Sequence, residues 1–170
     1  MDKMGKNIIL IGMMGTGKST VGRLVADSLG YTLIDLDTEI EKLDGRTIPE
    51  MFEADGESYF REAESAALRS VLLRKGIVVA SGGGAVLSTE NCEAMKQGGW
   101  VVALTADAAS IVERVRGDDN RPLLAGDVEE RVGRILDERK DKYLFADVML
   151  DTVGRSAEEV ATDILTHYRG

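Results

Sequence analysis

Cysteine is almost absent from this 170-residue chain, and the single Cys92 has no partner for an internal disulfide. Positive charge is scarce as well. Lys and Arg number 21 against 30 Asp and Glu, a formal net charge of −9, so the surface repels nucleic acid and anionic lipid. An anionic ligand must therefore be held by local cations and backbone amides. Long apolar runs are missing too: the opening "MDKMGKNIILIG" is charged before a hydrophobic stretch too short for a signal peptide or a membrane span. No internal repeat, low-complexity tract or linker divides the chain. These absences leave one globular domain over residues 1–170, expected in the cytoplasm without nucleic-acid or membrane partners.

What is present alternates. Short aliphatic runs at 7–11, 32–36, 77–80, 100–104 and 147–151, mostly ended by Gly or Asp, read as five buried parallel strands. Between them lie helical patterns at 18–29, 49–54, 57–74, 90–96, 108–115, 128–143 and 157–168. "TIPE" at 47–50 and "SAEE" at 156–159 fit capping boxes, and Asp107 and Asp127 are candidate N-caps. Such alternation predicts an α/β three-layer sandwich with its ligands at the C-terminal ends of the strands. The segment "RGDDNRPLLAGD", 116–127, combines Gly, Asn, Pro and charge between two helices and is the candidate lid.

The densest signal is "GMMGTGKST" at 12–20, in which Gly12, Gly17, Lys18 and Ser19 complete G-x-x-x-x-G-K-[ST] between a strand and a helix. Glycines let successive N–H groups turn inward, and the following helix contributes its positive end. Lys18 neutralises phosphate charge, while the Ser19 hydroxyl reaches Mg²⁺. A nucleoside triphosphate with Mg²⁺ is the expected ligand. The base-reading N-K-x-D segment of GTPases is missing, and "DTVG" at 151–154 follows the last strand, out of order for a switch loop. The third strand ends in "ASGGG" rather than in an aspartate, so a metal-side carboxylate must come from elsewhere.

"IDLD" at 34–37 supplies it. Asp35 and Asp37, two apart at the end of the second strand, point the same way while the strand lasts. One carboxylate can serve the metal through water and the other can hold a substrate hydroxyl; alternatively, Asp37 caps the helix that follows. Arg61 and Arg139 are candidate clamps for a carboxylate, since arginine's planar fork suits that group. Each also has acidic neighbours at helical spacing, Glu57 and Glu64 for Arg61 and Asp137, Glu138 and Asp141 around Arg139, and could be a solvated ion pair. Glu64 could also hold Arg61 in place. Three successive glycines, 82–84, would let a ligand approach bare amides. Phe52 and Phe60 are core or pocket lining, His167 reads as surface, and Cys92 and Trp100 as packing.

Taken together and in order, "GMMGTGKST", "DLD", "FREAE" (60–64), "SGGGAV" (81–86), "RPLL" (121–124) and "ERKDKY" (138–143) resemble shikimate kinase over nearly the whole chain. The resemblance implies a kinase of the nucleoside-monophosphate-kinase-like, phosphate-loop fold with a helical substrate-binding region at about 37–64 and a mobile lid at about 116–127. It implies direct in-line phosphorylation of shikimate to shikimate 3-phosphate, a step toward chorismate and the aromatic amino acids, with ATP as co-substrate and Mg²⁺ as cofactor. Gly15, Thr16, Gly17, Lys18, Ser19 and Thr20 would hold ATP phosphates, Arg121 would close over them, and Arg155 would lie at the adenine. Asp37, Arg61, Gly82, Gly83 and Arg139 would hold shikimate, with Asp37, Lys18 and Arg121 catalytic, and Ser19 and Asp35 would serve the metal. A monomer is expected.

Two positions depart from the pattern. "RKDKY" puts charge where many members carry a proline and an apolar residue, and "TVGRS" around Arg155 is generic. Two other functions share part of the signal: a related small-molecule kinase such as gluconate kinase, and a nucleotide-binding module without turnover.

Overall fold

The computed structural model describes residues 6–13, 16–115, 128–139 and 141–168, without the side chains of residues 114, 115 and 128. Among these, five parallel strands form one sheet. They are β1 (Asn7–Gly12), β2 (Thr32–Asp35), β3 (Ile77–Ala80), β4 (Gly99–Thr105) and β5 (Val148–Asp151), in the order β2-β3-β1-β4-β5. Seven α-helices accompany them: α1 (Lys18–Leu29), α2 (Leu36–Asp44), α3 (Ile48–Leu72), α4 (Thr89–Gly98), α5 (Ala108–Val115), α6 (Val128–Arg139) and α7 (Ala157–His167). A short 3-10 helix spans Ala85–Leu87.

The strand alternation builds two cores. Ile8 to Ile11 of β1 are wholly buried, because successive side chains leave opposite faces of a sheet covered on both sides. Ile9 and Ile11 join Val79, Val101 and Ala103 against Ile40 of α2, Met51 and Leu68 of α3 and Met95 of α4. Ile8 and Leu10 join Val78, Val102 and Leu104 against Val21 and Val25 of α1 and Val160 and Ile164 of α7. Each such side chain contributes roughly 2 kcal/mol. A third cluster seats Met13 among Ile111 and Val112 of α5 and Val132 and Ile135 of α6. Strand β1 lies between β3 and β4, with Ile8 opposite Val78 on one side and Trp100 on the other. Strand order reverses around β1, so the open crevice lies beyond its C-terminal end, where the phosphate loop begins.

Local chemistry sets the element ends. Thr47 and Glu50 form a reciprocal capping box at α3, Ser156 and Glu159 another at α7, and Asp107 accepts from the Ser110 N–H at the start of α5. Gly56 interrupts α3 with φ 83° and ψ 178°, a conformation open essentially to glycine alone, which separates the two helical stretches expected on either side of it. Two ends differ from the sequence reading. Strand β2 stops at Asp35, whose carboxylate caps α2 by accepting from the Thr38 N–H at 3.2 Å. Asp37 therefore lies in the first helical turn, neither on the strand nor at the cap. Helix α6 closes at Arg139 and leaves Tyr143 in the turn beyond. The candidate cap Asp127 and the candidate lid 116–127 lie outside the described residues. None of the described helices is long and apolar enough to cross a membrane.

Candidate active site

The phosphate loop enters α1 through Gly17, which takes φ 85° and ψ 23° at the N-cap. Gly12 is there for want of room: a Cβ would stand 2.3 Å from the Leu104 carbonyl oxygen. Thr16, almost fully buried, donates to the Met13 carbonyl at 2.7 Å and fixes the curl. The Lys18 ammonium donates to the carbonyls of Gly12 at 2.7 Å and Met13 at 2.9 Å, so its charge is held over the loop. The Ser19 hydroxyl donates to Asp35 Oδ2 at 2.8 Å, which brings a hydroxyl and a carboxylate oxygen together at the foot of α1. That hard-oxygen pair fits Mg²⁺, an ion that keeps several waters and takes its remaining ligands from substrate phosphates.

These residues open into a cavity of about 540 Å³. Its wall includes Thr16, Gly17, Lys18, Ser19, Thr20 and Asp35 from the phosphate-loop side, then Asp37, Arg61, Gly82, Gly83 and Arg139, and also Arg155. The structure thus gathers every described residue that the resemblance assigns to ATP, shikimate or the metal into one continuous space, despite separations of more than a hundred positions. Gly15 and Arg121 fall outside the described residues. Phe52 and Phe60 also line the cavity with ring centroids 5.0 Å apart, and both pack on the core below, so the two readings offered for them coincide.

Arg61 is held by acids on its own helix. Its Nη1 donates to Glu64 Oε1 at 2.9 Å, and its Nη2 and Nε donate to Glu57 Oε2 at 3.2 and 3.3 Å. The guanidinium also lies 5.1 Å from the Phe60 ring centroid. It is both an ion-pair partner and a wall of the cavity. Glu64 is 1% exposed, and desolvation pushes its carboxyl above the usual range; Arg61 opposes that shift, Asp37 adds to it, and Arg139 opposes it. Its Oε2 is buried without a hydrogen-bond partner among the described residues. A Cβ on Gly82 would lie 3.0 Å from Asp37 Oδ1 and 3.2 Å from Glu64 Oε2, so both carboxylates face that glycine.

Arg139 departs from the solvated ion-pair alternative. It is 5% exposed, and its Nη1 is buried with no partner among the described residues. A buried guanidinium nitrogen with nothing to donate to is costly, and a ligand oxygen would relieve it. Arg155 is pinned by the Asp151 and Glu159 carbonyls and by Asp163 at 3.1 Å. Three residues that touch the cavity or its wall carried weaker sequence signals. Gly84, the last of the glycine triplet, has Arg61 directly above its Cα; Ser81 donates to the Leu10 carbonyl at 3.0 Å; Tyr143 donates to the Gly83 carbonyl at 3.1 Å. A triplet of glycines and the tyrosine of "ERKDKY" were visible in sequence, but not which side chain each would meet.

Comparison with known proteins agrees with this geometry. The family model described as shikimate kinase matches residues 14–169. The shikimate kinase of Geobacter sulfurreducens (strain ATCC 51573 / DSM 12127 / PCA) is 45% identical over 166 residues, covering 97% of this chain and 92% of that protein. The structure of shikimate kinase from Acinetobacter baumannii in complex with shikimate superposes with a TM-score of 0.93 at 40% identity, covering 95% of this chain and 92% of that one. A gluconokinase from Sinorhizobium meliloti 1021 shares the fold at a TM-score of 0.63 and 18% identity, covering 97% of this chain and 92% of its own. With the phosphate loop, the paired aspartates and the buried arginine arranged around one cavity, and with near-full-length identity well above 30%, this chain belongs to the shikimate kinase family.

Proposed function

We propose that the protein transfers the γ-phosphoryl group of ATP to the 3-hydroxyl of shikimate by direct in-line displacement. The observation that carries this reading is the cavity that joins Lys18 and Ser19 of the phosphate loop to Asp37, Arg61 and the buried Arg139, whose Nη1 has no partner among the described residues. Phosphoryl transfer asks the protein mainly for positioning and for charge around the moving group.

The roles follow from the chemistry of each residue. Backbone amides of residues 16–20 and Lys18 bind the phosphates at the positive end of α1. Ser19 and Asp35 hold Mg²⁺, which neutralises phosphate charge when bound. Asp37 accepts a hydrogen bond from the attacking hydroxyl and orients it, with its carboxylate beside Gly82. Arg61 and Arg139 grip the carboxylate of the acid, Gly82 and Gly83 let its ring approach the backbone, and Phe52 and Phe60 offer an apolar side. Arg155 borders the nucleotide base. Gly15, as part of the phosphate loop, and Arg121, as a cation brought over the phosphates by a lid at 116–127, are assigned from sequence. At an effective dielectric near 20, a cation 4 Å from the transferring group is worth about 4 kcal/mol. The enzyme acts as a monomer of one domain in the cytoplasm.

A coupled ADP-release assay with Mg²⁺-ATP and a panel of shikimate, quinate, gluconate and nucleoside monophosphates tests the reading. Turnover with shikimate is expected. Turnover of gluconate instead would assign the protein to a different acceptor, and no turnover with any acceptor would make it a binding module.

A further inference from the structure

The acceptor side of the cavity is assembled from three helical pieces: α2, which carries Asp37, the stretch of α3 before Gly56, which carries Phe52, and the stretch after it, which carries Phe60 and Arg61. The first two pieces are joined directly, since Glu41 of α2 accepts from the Ile48 N–H at 2.7 Å. The third is set off by the break at Gly56. Beside that break lies a cluster of side chains that line no part of the cavity. Arg46, in the turn between α2 and α3, donates through Nε to Asp44 Oδ2 at 2.8 Å and through Nη1 to Asp55 Oδ2 at 2.8 Å. Its guanidinium carbon lies 5.1 Å from the centroid of the Tyr59 ring, and the Tyr59 hydroxyl donates to the other oxygen of Asp44. Asp44 closes α2, Asp55 is the last residue before the break, and Tyr59 lies beyond it, two positions before Arg61.

We propose that Arg46 and Tyr59 are positioning residues for the acceptor site, clasping α3 across its break at Gly56 and so setting where Arg61 stands relative to Asp37. This inference rests on the reading of Asp37 and Arg61 as acceptor ligands. Each contact holds a different piece: Asp44 anchors the guanidinium to α2, Asp55 anchors it to the first stretch of α3, and the Tyr59 ring and hydroxyl bring in the second. A Cβ on Gly56 would meet nothing within 4 Å, so this glycine serves the bend and not close packing. Where the backbone ladder is interrupted, side chains must set the angle. Arginine suits such a joint, because its planar fork can reach two carboxylates while its face lies on an aromatic ring, which a lysine ammonium cannot do at once. Both hydrogen bonds, from Arg46 first and then Tyr59, hold the Asp44 carboxyl below its ordinary range. Exposed ion pairs contribute little to global stability, so the clasp acts on geometry.

Arg46→Ala should lower kcat/KM for shikimate by about tenfold, within the loss that a displaced positioning group can cause. The KM for ATP should stay within about twofold, with a melting temperature close to the wild type. Tyr59→Phe keeps the ring and removes only the hydroxyl, and a loss of about threefold is expected from it. Asp44→Ala separates the clasp from bulk charge. It removes a negative group, so simple attraction of the anionic acid would improve kcat/KM, whereas loss of the clasp lowers it. In an Arg61→Ala background, Arg46→Ala should add less than about twofold, since residues that act as a unit are non-additive. Unchanged kcat/KM for shikimate in Arg46→Ala and Tyr59→Phe would overturn the proposal. So would an improvement in Asp44→Ala, full additivity with Arg61→Ala, or equal losses toward both substrates with a fall in melting temperature, which is the mark of a merely structural role. Absence of shikimate turnover in the wild type is a separate result and would refute the underlying function instead.

Discussion

Gly84→Ala separates the fold from the site. The residue sits at φ −93° and ψ −2°, which alanine adopts without strain, so the backbone has no objection to the change. The side chain does. A Cβ built there stands 2.4 Å from both Nη1 and Nη2 of Arg61, and ordinary contact begins near 3.4 Å, so the guanidinium must retreat by about 1 Å. Arg61 can give way because it is the far end of a flexible chain, and removing a glycine lowers the entropy of the unfolded chain. Stability should change by less than about 1 kcal/mol, in either direction. The ion pair of Nη1 with Glu64 at 2.9 Å cannot survive that retreat unchanged, and the grip on the acid should go with it. A displacement of about 1 Å in a positioning group can cost on the order of a hundredfold. We expect kcat/KM for shikimate to fall by between about ten- and a hundredfold, with the KM for ATP little changed. Steady-state kinetics with each substrate varied in turn, beside a thermal melt, gives the answer. Unaltered kcat/KM for shikimate would remove Arg61 from the acceptor site, and a large drop in melting temperature would mean that the glycine serves the fold.

Asn7 should be purely structural: its buried amide donates to the carbonyls of Arg74 and Gly98 and accepts from the Ile77 N–H, so Asn7→Ala should cost about 3 kcal/mol in a denaturant melt and leave both KM values alone. A loss under about 1 kcal/mol would contradict that accounting. Asp37→Asn should cut turnover at least about a hundredfold, and near-normal rates would exclude Asp37 from the chemistry. Glu64 predicts a pH signature. Its folded pKa lies above the ordinary 4.5, so its contribution to stability is full below 4.5 and is lost as pH rises through the folded value. Glu64→Gln cannot titrate, and its melting temperature relative to wild type should therefore climb as pH rises from 4.5. A difference that stays flat with pH would show that burial does not perturb this carboxyl.

Much of this architecture was legible in the sequence because its signals are local. Aliphatic runs of strand length gave the five strands, and the capping boxes at Thr47 and Ser156 fixed two helix starts. The failures have physical causes. Leu36 is apolar and suits a strand or a buried first helical residue equally well, so the end of β2 was decided by the Asp35 side chain turning to cap α2. The run "ERKDKY" contains good helix formers, yet Tyr143 lies in a turn beyond α6 with its hydroxyl on the Gly83 carbonyl, a tertiary contact that no local signal reports. Strand order is not encoded in any one segment. For Arg61 the sequence already allowed an ion pair and a pocket wall to combine through Glu64, and the structure shows both. For Arg139 burial decided between the same two readings, a quantity that charge spacing along a helix cannot report.

The central claim is that one cavity seats a nucleotide tail and a ring acid side by side. A crystal structure with ADP, Mg²⁺ and shikimate bound tests it most directly. The account predicts ADP phosphates on residues 16–20, the acid's carboxylate on Arg61 and Arg139, and its 3-hydroxyl on Asp37, facing the phosphates. Shikimate lodged away from Asp37 and the two arginines, or ADP absent from the phosphate loop, would contradict it.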